Sequence, residues 1–386
     1  MLRIQPVVTR MVPRILIGGL ALFALGSAMD AQLQPVKPGP TPTEANFFIA
    51  TPPNWVQPKT AWGDPDLQGT WPISYVGNVS LQRCVPAFGA RPPGNGATCD
   101  PHKAFLTEEE FKALQDRANK QPDRYGNAVK DGEAGRAFLS GIMDVFTPQR
   151  QTSLIMDPPD GKLPEMTAEG KRLSGLMKST WPLPGEKLEF DSYHDFDSWD
   201  RCITRGLPAS MFPFRYNNGL QIIQAPGYVV LRMEMIHEAR IVTLNAPPVS
   251  PDIKEWLGVS RGHWDGSTLI VETTNFKPGA SATNTGVGGS PAGNRFPISD
   301  QMKMTERFTR LNKDFLIYTI TVEDPVVLTR SWTARFPLKL DNDFKILEYA
   351  CTEDNHVIPN WISVTQAERA KAAGTSKIAA PPKEQP

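Results

Sequence analysis

An excess of charge of either sign is what this 386-residue chain most plainly lacks: 41 lysines and arginines stand against 41 aspartates and glutamates. That balance leaves no electrostatic footprint for nucleic acid or for an anionic membrane surface, and neither is expected as a partner. Beyond the N-terminus no apolar run is long enough to cross a bilayer, so no membrane insertion of the mature chain is expected. Neither G-x-G-x-x-G nor G-x-x-x-x-G-K-S/T occurs, which removes the sequence grounds for a nucleotide, and no cofactor is expected. Cysteine is scarce, four residues without C-x-x-C spacing, which argues against a zinc site or a redox dithiol.

What is present begins with an address. Arg3, Arg10 and Arg14 form a basic region, the apolar run Ile15 to Leu25 follows, and small residues surround Ser27 to Ala31. Residues 1–31 read as a secretory signal, which places the mature protein in the periplasm or outside the cell. Disulfides are then the default for Cys84, Cys99, Cys202 and Cys351. Three pairings exist; the closeness of Cys84 to Cys99 favours that pair and leaves Cys202 to bridge Cys351.

Thirty-seven prolines and thirty glycines imply a loop-rich, β-dominated chain. Residues 32–61 read as an extended surface segment, 62–365 as a single domain with helical insertions at about 107–180, and 366–386 as a disordered tail. Thr107 and Glu110 make a capping box that opens a helix to about Lys120, and Thr167 caps a second helix to about Lys178. A strand is expected at 152–156, and from residue 218 the pattern is almost wholly β, with strands near 219–225, 228–244, 267–275, 302–310, 315–323, 328–337 and 344–351. Turn signals at Ala225-Pro-Gly227, Asp265-Gly266, Asn312-Lys-Asp314 and Asp341-Asn-Asp343 separate them. Closure of such a meander into an up-and-down antiparallel barrel would remove its edges and leave room for one small ligand.

Two strands carry ionisable residues where oil is expected. In Met302 to Arg310, Glu306 shares a face with Met302, Met304 and Phe308; in Val229 to Arg240, His237 shares one with Leu231, Met233 and Met235. Buried, such groups need partners. Glu306 and His237 are therefore the candidate acid–base pair. The alternative is a structural network in which Arg307, Arg310 or Arg335 neutralises the glutamates. Glu234, Arg240, Glu272 and Glu348 are second candidates for ligand contact, His263 and Trp264 are placed at the barrel mouth, and Trp332 stands among the aromatics that could face a lumen with the methionines.

Other patterns are weaker. Gly258-Val-Ser-Arg-Gly262 satisfies the G-x-S-x-G nucleophile elbow, but a strand and not a helix follows it, so a hairpin is expected. The segment Asp191 to Asp200 gathers aspartates, as a Ca²⁺ loop or, more simply, a solvated acidic loop would. Arg201 and Arg205 just after it could close over an anionic group or pair with those aspartates.

Several segments carry a resemblance: Asp64-Pro-Asp-Leu-Gln-Gly-Thr-Trp71, Asp200-Arg-Cys-Ile-Thr-Arg-Gly-Leu-Pro208, Glu234-Met-Ile-His-Glu-Ala-Arg240, Ser260 to Phe276 and Glu348-Tyr-Ala-Cys351. With them the chain resembles a large family of exported bacterial proteins, mostly of unassigned function, and Gly69-Thr-Trp71 is similar to the Gly-x-Trp of lipocalins. The resemblance implies export and a barrel-like fold, and transfers no reaction. The reading is a mainly β, lipocalin-like barrel with N-terminal helical and loop additions. It would bind a small apolar or aromatic molecule in its lumen; the alternative is a cofactor-independent lyase, isomerase or hydrolase using Glu306 and His237 there.

Overall fold

The computed structural model describes residues 42–85, 99–119, 147–214, 216–278 and 293–375. The expected signal, the Pro92-to-Gly96 loop and the end of the expected tail fall outside them. Ten strands form one sheet: β1 (Gly69–Thr70), β2 (Ile155–Asp157), β3 (Leu220–Ala225), β4 (Tyr228–Met233), β5 (Ala239–Leu244), β6 (Val259–Asp265), β7 (Thr268–Thr274), β8 (Lys303–Arg310), β9 (Phe315–Glu323) and β10 (Trp332–Lys339). Their order is β1-β3-β4-β5-β6-β7-β8-β9-β10-β2, curled into a half-barrel.

Every neighbouring pair but one is antiparallel. The exception is β5–β6, a parallel match of only Thr243 with Arg261 and Leu244 with Gly262. It divides the sheet into a smaller part, β1 and β3 to β5, and a larger one, β6 to β10 with β2. The sheet also stays open where a closed barrel was expected. Its outermost strands, β1 and β2, are two and three residues long, and strands that short leave little unpaired backbone to protect.

Alternation sets the faces as read. In β8, Met304, Glu306 and Phe308 are buried while Lys303 and Arg307 point outward. In β9, Leu316, Tyr318, Ile320 and Val322 join them, and in β10 Trp332, Ala334, Phe336 and Leu338. The chain's own loops fill this face. Leu67, Trp71, Ile73 and Val76 precede β2, Leu207, Met211 and Phe212 precede β3, and all belong to the same packed cluster as the strand residues. The Phe212 ring lies 5.9 Å from Trp332 and 6.2 Å from Phe336. What reads as lumen is packed core.

Two expected strands change. The run 228–244 is interrupted at Met235–His237, where Ile236 and His237 take φ of 55° and 42°. These left-handed residues turn the chain back, and the Met233 amide bonds to the Glu238 carbonyl at 2.8 Å, making a β4–β5 hairpin instead of one long strand. Residues 344–350 form no strand. They lie against β3 and β4, held by a side chain, since the Leu347 amide donates to Glu234 Oε1 at 3.0 Å.

Among the described residues three α-helices accompany the sheet: α1 (Glu108–Asn119), α2 (Ala168–Leu176) and α3 (Val357–Ala372). The capping box of α1 forms in both directions, Thr107 amide to Glu110 Oε2 at 2.8 Å and Glu110 amide to Thr107 Oγ1 at 3.3 Å. Thr167 Oγ1 accepts the Gly170 amide at 2.9 Å. Helix α3 runs through the place where the tail was expected to begin. Among the described residues no helix is long and apolar enough to cross a membrane. Cys84 bridges Cys99 and Cys202 bridges Cys351, as the spacing favoured.

Helix α2 meets the loop after β9 at Gly170, where a Cβ would stand 2.3 Å from the Val327 carbonyl oxygen. Gly to Ala inside a helix ordinarily stabilises by about 1 kcal/mol. Here backbone blocks the methyl, and Gly170→Ala is expected to lose about 1–3 kcal/mol, read as a lower urea midpoint.

Candidate functional site

Glu306 has no exposed surface and sits at the centre of a polar network on the concave face. Arg240 reaches it from β5 as a two-pronged clamp, Nη1 to Oε1 at 3.1 Å and Nη2 to Oε2 at 2.5 Å. Tyr318 on β9 donates its hydroxyl to Oε1 at 2.7 Å. Arg240 Nη2 also donates to Ser260 Oγ on β6 and Thr273 Oγ1 on β7, each at 3.1 Å. One network thus ties five successive strands, β5 to β9.

Burial presses the Arg240 guanidinium toward its neutral form, yet the Glu306 charge and hydrogen bonds outweigh it and hold the group above its ordinary value. Burial, with the Glu306 charge beside it, drives the Tyr318 phenol well above its own. The guanidinium is thus held as a cation and the phenol as a hydrogen-bond donor, both directed at Glu306. That arrangement suits a structural clamp and not a proton carrier. The neutralising cation is Arg240, not Arg307, Arg310 or Arg335. Ser260 lies inside strand β6 with its hydroxyl 2.9 Å from Thr273 Oγ1, and the G-x-S-x-G match is a hairpin.

The other candidates separate. His237 is exposed in the β4–β5 turn, its Nδ1 2.9 Å from the Tyr349 carbonyl oxygen; the strand break turns it off the inner face, so it is no partner for Glu306. Glu234 is buried and accepts the Gly219 amide at 2.9 Å and the Leu347 amide at 3.0 Å, a staple between chain segments. Glu272 faces outward and pairs with Lys303 at 3.0 Å; that hydrogen bond holds its carboxyl below the usual range. His263 is exposed, and Trp264 packs against the core from the same strand. Trp332 is core, stacked on Phe212. Glu348 is exposed, off any strand, and lines a cleft elsewhere.

That cleft has a volume of about 540 Å³, within the ~300–1,000 Å³ of small-molecule sites. Trp181, Trp199, Tyr216 and Tyr349 give it four half-buried rings, and Asp200 and Glu348 line it too. Three segments singled out in the sequence meet here. The Cys202–Cys351 bridge joins the first to the last. The Arg205 amide donates to Glu238 Oε1 at 3.1 Å, joining the first to the β4–β5 turn. Met235 and Ile236 of that turn pack with Phe214 in a small cluster against which Trp199, Tyr216 and Tyr349 of the cleft also pack.

Asp200 is the unusual group. Thr180 Oγ1 donates to its Oδ1 at 3.1 Å, while its Oδ2 is buried without a hydrogen-bond partner. Burial, and then the neighbouring Asp197 charge, raise its carboxyl to about 7. Asp197 is itself buried and raised by burial, although its Oδ1 accepts the Trp199 and Asp200 amides at 2.9 and 2.8 Å. The remaining aspartates of the acidic loop are engaged with cations, Asp191 with Arg369 and Asp195 with Lys178, and do not form a calcium cage. Arg205 is buried, 5.6 Å from the Trp199 ring and 5.1 Å from Phe214. Burial lowers its guanidinium to about 10.

Glu306→Gln leaves Arg240 buried without a counter-charge and is expected to cost about 3–5 kcal/mol. The double variant Arg240→Met/Glu306→Leu is expected to recover most of that loss, both by urea unfolding. Asp200 gives a second expectation. The folded carboxyl holds its proton more tightly than the unfolded one, whose pKa is about 3.9. Its stabilising contribution is complete below that value and lost as pH rises to about 7. Asp200→Asn should flatten this slope, with a melting temperature above wild type at pH 8 and a smaller difference at pH 4.

Comparison with known proteins adds no assignment: the chain matches no family model, no curated protein and no solved structure.

Proposed function

We propose that the protein is exported to the periplasm or beyond and binds a small apolar or aromatic molecule, as lipocalin-like barrels do, but in the aromatic cleft and not within the sheet. The observation that carries this reading is the meeting of four aromatic side chains with a carboxyl whose Oδ2 is buried and unpartnered. Rings supply apolar contact area. An unsatisfied buried oxygen costs roughly 1–3 kcal/mol until a donor reaches it, so a ligand that brings one gains that much. The concave face offers no comparable opportunity, since Glu306 is saturated by Arg240 and Tyr318 and surrounded by packed core. The address rests on the N-terminal signal and on the exported bacterial family that the sequence motifs resemble, and the two disulfides fit an oxidising compartment.

A second reading, a cofactor-independent enzyme, is favoured by one observation. A carboxyl near 7 can give or take a proton at neutral pH. On that reading Asp200 takes the acid–base role that the sequence assigned to Glu306 and His237.

The test is incubation of the chain with a pool of apolar and aromatic metabolites, followed by mass spectrometry of bound and altered compounds. Recovery of an unaltered compound, with Trp181→Ala weakening it at least tenfold and Glu306→Gln leaving it bound wherever the variant folds, is the expected result. A compound retained equally by Trp181→Ala places the site elsewhere. A compound chemically changed by wild type but not by Asp200→Asn supports the enzyme.

A further inference from the structure

The cleft's chemistry narrows its occupant, on the reading of the cleft as a binding site. Among the described residues that line it, four are aromatic, two are acidic, and none is lysine, arginine or histidine. Ring faces carry the negative lobe of an aromatic quadrupole and attract cations, by about 0.5–1 kcal/mol when exposed and about 2 when desolvated. Asp200 and Glu348 add two acidic side chains to the lining.

The protein's own cations nearby are turned away or engaged. Arg201 lies 5.8 Å from the Trp256 ring, and Arg205 is buried behind Trp199. Arg295 holds Glu186 at 2.6 Å and the Trp181 carbonyl at 2.9 Å. Lys178 holds Asp195 at 3.2 Å and the Glu189 carbonyl at 2.8 Å, and His237 is bonded to the Tyr349 carbonyl. A carbohydrate, the other ligand that stacks on rings, needs donors as well as acceptors. The Thr180 hydroxyl is already given to Asp200, and the Asn355 amide to the Asp200 carbonyl at 3.1 Å and to Cys202 Sγ at 3.2 Å; Asn217, two indoles and two phenols also stand on the lining, so a carbohydrate is kept as an arm of the experiment.

We propose that the cleft takes an organic ammonium ion, an amine or quaternary ammonium group on an apolar or aromatic body, with the cation over the ring faces and its charge answered by Asp200 and Glu348. Binding draws the Asp200 carboxyl into its ionised form and releases a proton. The ionisable groups around that carboxyl are Asp197 on its own segment, Arg201 and Arg295, which act on Asp197, and Glu348, Tyr216 and Tyr349 on the segments opposite.

The experiment is calorimetric titration of the full chain with four probes: phenethylamine, 2-phenylethanol, phenylacetate and methyl β-glucoside. At pH 8 phenethylamine is expected to bind at least about tenfold tighter than 2-phenylethanol, with phenylacetate and the glucoside weaker still. Its affinity should fall as pH drops from 8 to 5.5, while that of the alcohol stays level. Asp200→Asn should remove both the advantage of the amine and its pH dependence. Should that variant not fold, Glu348→Gln, at an exposed position, is expected to lower amine affinity several-fold and leave alcohol affinity unchanged. Equal affinity for amine and alcohol overturns the ammonium inference alone, leaving an aromatic binder. Preference for phenylacetate or the glucoside overturns it in favour of an anion or a carbohydrate. Binding of none of the four overturns both this inference and the cleft as the binding site.

Discussion

The clamp between Arg240 and Glu306 is the interaction on which the curled sheet depends. The junction between its two parts is the two-residue parallel match between β5 and β6, and Arg240 crosses that junction with its guanidinium, reaching Ser260, Thr273 and Glu306 in turn. A hydrophobic side chain could fill the space but could not hold five strands to one geometry through directed bonds. The arrangement carries a risk. A buried ion pair is strongly favourable only while both partners remain, because either one alone is an uncompensated charge in a medium of low polarity.

The polar apparatus of this protein is divided by location. Inside the sheet, the Glu306 carboxylate is matched by Arg240 and Tyr318 and enclosed by packed core. Outside it, the chain brings together a disulfide, a left-handed turn and the Glu234 staple, which between them fix three remote segments around an open cleft. Among the described residues, only there does a carboxylate oxygen stay buried and unpaired. Such a group destabilises the fold slightly and gains if a ligand supplies the missing donor. On the proposed reading, stability and recognition fall to different acids, Glu306 and Asp200.

Much of the fold was legible because its signals are local. The outward and inward faces of β8 and β9 follow from period-two alternation, the helix starts from Thr107 and Thr167, and the disulfide pairs from spacing and compartment. Glu306 was legible as an inward acid for the same reason. Its partner was not, since Arg240 lies three strands away in the sheet and Arg307 and Arg310 are nearer in sequence. His237 was misplaced because alternation presumes an unbroken strand. The left-handed conformations at Ile236 and His237 arise from packing Met235 and Ile236 against Phe214, a contact with no trace in the local sequence.

By itself the sequence determined the secondary structure of most of the sheet, the disulfide pairing and the presence of one acid in an oily strand, because each is governed by neighbours along the chain or by pairwise chemistry. Tertiary structure decided whether the sheet closes, which cation answers Glu306 and where a ligand can enter. Those outcomes depend on loops from remote positions competing for the concave face. Once Trp71, Leu207 and Phe212 occupy it, the interior is core, and the aromatic cleft forms instead beside the Cys202–Cys351 bridge.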